Sequence, residues 1–125
     1  EHLKAQKNAA IINVTSGLAF VPMPRTATYS ATKAAMHSYT VSLRAKLEGK
    51  VEVIELAPPA VQTELTPGQS TREGYMPLDE FIEETMLGFT AEETPQEVLT
   101  QNVLFLRNAE AEGRFDKALE MTSKF

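Results

Sequence analysis

Residues 9–16 read AAIINVTS. A short apolar run rich in β-branched residues, entered from the polar pair Lys7-Asn8, predicts a strand. Pro22 and Pro24 punctuate the loop over 17–27 that follows. From Tyr29 to Glu48 the spacing is helical, with Thr26, Thr28 or Ser30 available to cap the start and Gly49 placed where a helix stops. Residues 50–57, KVEVIELA, then predict a second strand closed by Pro58-Pro59. Strand, helix, strand in that order is a βαβ unit. Its strands are parallel and its crossover right-handed.

Beyond this unit the sequence reads as helical. Pro67-Gly68 to Gly74 is a polar loop, and Asp79 to Phe89 is a short amphipathic helix carrying Phe81, Ile82, Met86, Leu87 and Phe89. Thr94-Pro95-Gln96-Glu97 has the form of a helix start, with a threonine cap, proline in the first position and a carboxylate in the first turn. Leu99, Val103 and Leu106 would line one face of the helix it opens, and a last short helix follows Gly113. Two strands are too few for a parallel sheet, which is covered on both faces. Ile11, Ile12 and Val14 are apolar toward both faces, as in a central strand, yet no segment offers a partner for their other side. The expectation is part of a doubly wound α/β fold. It is one partial domain over 1–125, divided into a βαβ segment (1–65), a lid-like loop and helix (66–93) and C-terminal helices (94–125). The first residue is Glu1 within a helix-like string, which reads as a piece of something longer.

Composition narrows the function. The chain has 125 residues and a formal charge of -5, against the clustered Lys and Arg that a phosphate-backbone binder needs. No apolar run approaches a membrane span, and no signal-peptide pattern opens the chain. Cysteine is absent and only His2 and His37 are available, so neither a disulfide framework nor a zinc site is expected. A reducing, cytoplasmic setting fits.

Tyr29 and Lys33 stand at i and i+4, so both project from one helix face about a turn apart. An ammonium beside a phenol favours the phenolate, and such a tyrosine can serve as general acid or base toward a carbonyl or alcohol. Ser16, at the end of the preceding strand, could hydrogen-bond the same oxygen. In open α/β sheets ligands bind beyond the carboxyl ends of the strands, where Ser16 and the Pro58-Pro59 loop should lie. Taken alone, a Tyr-x-x-x-Lys pair is common on helix surfaces. His37 and Tyr39 read as packing residues without chemistry, and Glu83-Glu84, Glu92-Glu93, Glu110 and Glu112 as solvated faces.

The combined spacing resembles that of the short-chain dehydrogenase/reductase family. Tyr29 follows Ser16 by thirteen residues, and Tyr29-Ser-Ala-Thr-Lys33 is close to the family's Tyr-x-Ala-Ser-Lys. Pro58-Pro59-Ala-Val61-Gln-Thr63 stands where the family has Pro-Gly, a hydrophobic residue and a threonine. Residues from about 3 to 65 carry the match. The Pro-Pro variant and the tail Glu-Gly-Arg-Phe-Asp-Lys-Ala (112–118) look most like the DltE-like subgroup.

The resemblance implies a Rossmann-like doubly wound sheet and NAD or NADP as cofactor. It also implies interconversion of a carbonyl and a secondary alcohol by hydride transfer. Tyr29 would be the proton donor, Lys33 would tune it and hold the nicotinamide ribose, and Ser16 would position the substrate oxygen. Pro58 and Val61 would border the nicotinamide, and Thr63 would approach the pyrophosphate. Met76–Phe89 would cover the substrate, where the plain alternative is an amphipathic segment packed on the core. The helix would pair in a homodimer through Ala31, Ala34, Ala35, Ser38, Ser42 and Ala45, some of which burial against its own sheet would use.

The family's first half has no counterpart here. The six glycines never come closer than six residues, so no glycine-rich pyrophosphate loop is present. A seventh strand ending in Asp-Gly-Gly is missing as well. The chain alone is therefore expected to be inactive, and a non-catalytic, self-associating fragment is the alternative reading.

Overall fold

A computed structural model describes all residues from 1 to 125. Its centre is a three-stranded, wholly parallel sheet: β1 (Ala10–Val14), β2 (Glu52–Leu56) and β3 (Glu97–Val98), in the order β1-β2-β3. Between β1 and β2 runs α1 (Ala27–Lys46), the crossover helix the sequence predicts, starting and stopping two residues early. None of the expected caps forms. Ser30 is instead buried, its hydroxyl accepting from the Met23 amide (3.1 Å) and so tying the loop to the helix. The chain leaves α1 through Gly49, whose φ of +74° is the left-handed conformation that glycine adopts without steric cost.

The third strand corrects the sequence reading. Thr94-Pro95-Gln96-Glu97 opens no helix; Glu97 and Val98 pair with Glu55 and Leu56, and helix returns only in α3 (Leu104–Arg107) after a short 3-10 turn. Tertiary bonds override the local capping pattern here. The Gln96 carbonyl accepts from the Glu55 amide (2.8 Å), and Val98 is buried. Val98 packs under α2 (Leu78–Phe89), where Gly88 lets the helix approach: a Cβ there would lie 2.9 Å from Val98 Cγ1. The last helix, α4 (Phe115–Thr122), forms where Gly113 predicts it.

Side chains alternate along the strands. Ile11 and Val53 pack with Leu43, Leu47 and Val51 under the C-terminal half of α1. A second cluster of Val21, Ala109 and Ala118 clamps the 17–27 loop beneath α3 and α4, with Thr122 Oγ1 donating to the Pro22 carbonyl (2.7 Å). The opposite face of β1 is open. Ile12 and Val14 are 48% and 50% exposed, and β1 lies at the sheet edge although its residues are apolar on both sides. No helix is long and apolar enough to cross a membrane.

Candidate active site

The residues singled out by sequence gather at the carboxyl ends of β1 and β2. Ser16 follows β1 in extended conformation and is nearly buried; its Oγ accepts from the Leu18 amide (3.1 Å), leaving the hydroxyl proton free to be donated. The next amide, Gly17, donates to the Pro58 carbonyl (3.0 Å) and so fixes the end of β1 against the end of β2. A Cβ on Gly17 would lie 2.8 Å from Val103 Cγ2, so only glycine lets this turn sit against the 3-10 turn before α3.

Tyr29 lies in the first turns of α1 and is 42% exposed. Lys33, one turn on, reaches across to the strand: its Nζ donates to the Val14 carbonyl (3.0 Å) while lying 5.6 Å from the centre of the Tyr29 ring. The ammonium is thereby fixed between the strand that leads to Ser16 and the phenol. No hydrogen bond joins Ser16 to Tyr29; the two are linked through Lys33 and Val14.

Beyond β2, Val61 bridges to Met76. That bridge uses the amides of Gln62 and Met76, and the Val61 carbonyl accepts from Gln69 Nε2 (2.8 Å). The Val61 amide takes no acceptor within the chain. Thr63 Oγ1 accepts from Gln69 Nε2 (3.0 Å) and from the Leu65 amide (3.3 Å). Pro58 is half-buried and Val61 buried at the same end of the sheet.

On the helix-facing side of the sheet lies a group that sequence reasoning missed. Glu55 is completely buried in the central strand; its carboxylate accepts from His37 Nδ1 (2.7 and 2.8 Å) and from Thr15 Oγ1 (2.9 Å). A carboxylate acceptor assigns the proton to Nδ1. His37 therefore does more than pack, while Tyr39, also expected to pack, is 58% exposed. Glu97 lies alongside and is held by a bidentate Arg107 (2.7 and 2.9 Å), which raises the guanidinium above its ordinary range chiefly through these hydrogen bonds. Arg107 also covers the Phe20 ring, which meets His37 edge-on.

Ligand atoms of His37, Glu55 and Glu97 come within 4.8 Å of one another, but Arg107, Thr15 and the imidazole already engage the two carboxylates. The cluster satisfies itself. The signal for it was a glutamate between Ile54 and Leu56 in a strand destined for burial, since a buried carboxylate requires donors. Among the glutamates read as solvated, Glu84 accepts from the Gln101 amide (2.7 Å) and Glu112 pairs with Arg114.

The family model of the short chain dehydrogenases matches residues 1–74. DltE of Bacillus subtilis (strain 168), an uncharacterised oxidoreductase, is 41% identical over 113 residues, 86% of this chain and 44% of its own length. Human 17-beta-hydroxysteroid dehydrogenase type 3 is 31% identical over 87 residues, 69% of this chain and 28% of its own. Among solved structures, a short chain dehydrogenase from Burkholderia cenocepacia in complex with NADP superposes with a TM-score of 0.72 at 28% identity, covering 95% of this chain and 50% of that one. The chain thus spans about half the length, or less, of the relatives it matches. A short-chain dehydrogenase from Sphingobium yanoikuyae in complex with NADPH shares the fold, with a TM-score of 0.63. The chain belongs to the short-chain dehydrogenase family, carries a partial Rossmann-type fold of it, and is related to DltE.

Proposed function

We propose that Ser16, Tyr29 and Lys33 are the proton-transfer group of an NAD(P)-dependent oxidoreductase that interconverts a small-molecule carbonyl and a secondary alcohol. The observation that carries this reading is the placement of the Lys33 ammonium, held on the Val14 carbonyl at 3.0 Å and 5.6 Å from the Tyr29 ring centre. An ammonium so held would stand beside the phenol during proton transfer. Tyr29 donates its proton to the substrate oxygen, and the Ser16 hydroxyl steadies the charge on that oxygen. A nicotinamide dinucleotide supplies the hydride.

The residues present fit one end of that cofactor. Lys33 and Tyr29 would hold the ribose, Pro58 would border the nicotinamide, and the Val61 amide, without an acceptor in the chain, would suit a carboxamide oxygen. Thr63 would approach the pyrophosphate. The glycine-rich loop for the pyrophosphate itself is not among these residues, so the chain acts as the catalytic segment and needs that half to turn over. Leu78, Ile82 and Met86 of α2, all exposed, would form a cover over substrate. Cytoplasmic location and a homodimer through the exposed small-residue face of α1 belong to the same reading.

The test is turnover of the chain joined to, or mixed with, a glycine-rich half from a family member. Tyr29→Phe should lower it by about 10²–10⁴-fold, the contribution of a general acid. Undiminished turnover would remove Tyr29 from the role of proton donor.

One observation favours a second reading, a non-catalytic module that self-associates: β1 has a free edge and exposes Ile12 and Val14. Unpaired edges recruit other strands. A monomer by light scattering at high concentration would count against it.

A further inference from the structure

We infer that Glu55 is a positioning residue that sets the distance between Ser16 and the Tyr29–Lys33 pair, acting through Thr15 on one side and His37 on the other. The inference rests on the reading of Ser16, Tyr29 and Lys33 given above. Burying a carboxylate is costly unless donors meet it, so a side chain at 0% exposure holds its partners in fixed places.

Those partners are well chosen for the purpose. Thr15, whose hydroxyl donates to Glu55 at 2.9 Å, is the residue before Ser16. His37, whose Nδ1 donates at 2.7 and 2.8 Å, lies one turn beyond Lys33, which lies one turn beyond Tyr29. Residues four apart share a helix face, so Tyr29, Lys33 and His37 form one stripe, and fixing His37 fixes both the rotation and the axial position of the other two.

The junction extends to the third strand. Glu55 donates its amide to the Gln96 carbonyl at 2.8 Å, and Arg107 engages neighbouring Glu97 through both carboxylate oxygens. Lower on the same face Asn13 Nδ2 donates to Thr40 Oγ1 (3.0 Å), and at the far end Arg44 Nε donates to the Val53 carbonyl (3.0 Å) beside the apolar contacts of Leu43 and Leu47. Directional bonds thus tie α1 to β1 and β2 along its length, with Glu55 and its donors nearest the site. An apolar side chain at position 55 would fill the space without fixing an angle. A carboxylate with donors on two elements fixes it.

Glu55→Gln keeps the shape but removes the charge and leaves one acceptor oxygen where Thr15 and His37 have two, which loosens the hold on both. The readout is the Lys33–Val14 contact, followed by the carbonyl-carbon NMR shift of Val14 and by NOEs between Lys33 and the Tyr29 ring in the isotope-labelled chain. Lys33→Met gives the shift with the contact absent. In folded Glu55→Gln the Val14 shift should move at least halfway to that value and the NOEs should fall at least about two-fold.

Thr122→Val, which loses a hydrogen bond remote from this network, should leave both unchanged, so loss of stability alone does not mimic the effect. If Glu55→Gln fails to fold, Thr15→Val should reproduce the shift and Thr15→Ser, which restores the hydroxyl, should reverse it. A folded Glu55→Gln, or Thr15→Val, with the wild-type Val14 shift overturns the inference. So does a Val14 shift that Lys33→Met leaves unmoved. Neither result bears on Tyr29 as proton donor, which stands or falls with the turnover of Tyr29→Phe.

Discussion

Gly17→Ala tests how the turn beside Ser16 is held. Gly17 follows the candidate serine directly, and its backbone is not in the left-handed region, so the constraint is one of space. A Cβ would meet Val103 Cγ2 at 2.8 Å and Leu106 Cδ1 at 3.0 Å, well inside the roughly 3.5–4.0 Å of an optimal carbon contact. Val103 is fully buried and has nowhere to retreat. Overpacking of this kind costs about 1–3 kcal/mol. Alanine's smaller unfolded-state entropy offsets about 0.4–1 kcal/mol of it.

The net is a destabilisation of about 1–2 kcal/mol, or a fall in Tm of about 4–8 °C for a domain of this size. Thermal unfolding followed by circular dichroism measures it. The source of the strain is tested by a double-mutant cycle with Val103→Ala. Removing Val103 Cγ2 makes room, so the pair should be less destabilised than the sum of the singles by about 1 kcal/mol. An unchanged or higher Tm for Gly17→Ala, or strict additivity in the cycle, would refute the account of this turn.

Other perturbations probe other joints. Gly88→Ala gains helix propensity but drives a Cβ to 2.9 Å from Val98 Cγ1, so it should lower Tm despite the better helix former. Gly49→Ala meets no atom within 4 Å yet must hold a φ of +74°, which should cost about 1 kcal/mol in denaturant unfolding, with Gly49→Asn recovering part of it. Arg107→Met leaves Glu97 without its bidentate partner beside buried Glu55, and urea titration should show a loss of about 1–3 kcal/mol. Thr122→Val removes the bond from α4 to the Pro22 carbonyl and should cost about 1 kcal/mol by the same assay.

Sequence alone revealed the βαβ unit because each of its signals is local: the β-branched run at 9–16, the twenty-residue helical spacing, and Gly49 at its end. The Ser16, Tyr29 and Lys33 set was legible for the same reason, since its elements are fixed by spacing along one strand and one helix. What stayed hidden depends on long-range contact. Glu97 and Val98 are two residues of strand behind a Thr-Pro pair that looks like a helix cap, and only Gln96 bonding to Glu55 reveals them. Glu55 and His37 lie eighteen residues apart on different elements, so their pairing could be suspected only from a carboxylate set among Ile54 and Leu56. Ile12 and Val14, apolar enough for a central strand, lie at an edge in this chain.

The central claim is that Lys33 and Tyr29 form the nicotinamide end of a cofactor site whose pyrophosphate end is the family's glycine-rich half. Calorimetric titration with NADPH, on the chain alone and on the chain complemented by that half, tests it most directly. The account predicts no saturable binding by the chain alone at millimolar cofactor. It predicts binding once the glycine-rich half is supplied, weakened at least tenfold in Lys33→Ala. Binding by the complemented chain that Lys33→Ala leaves untouched would contradict it.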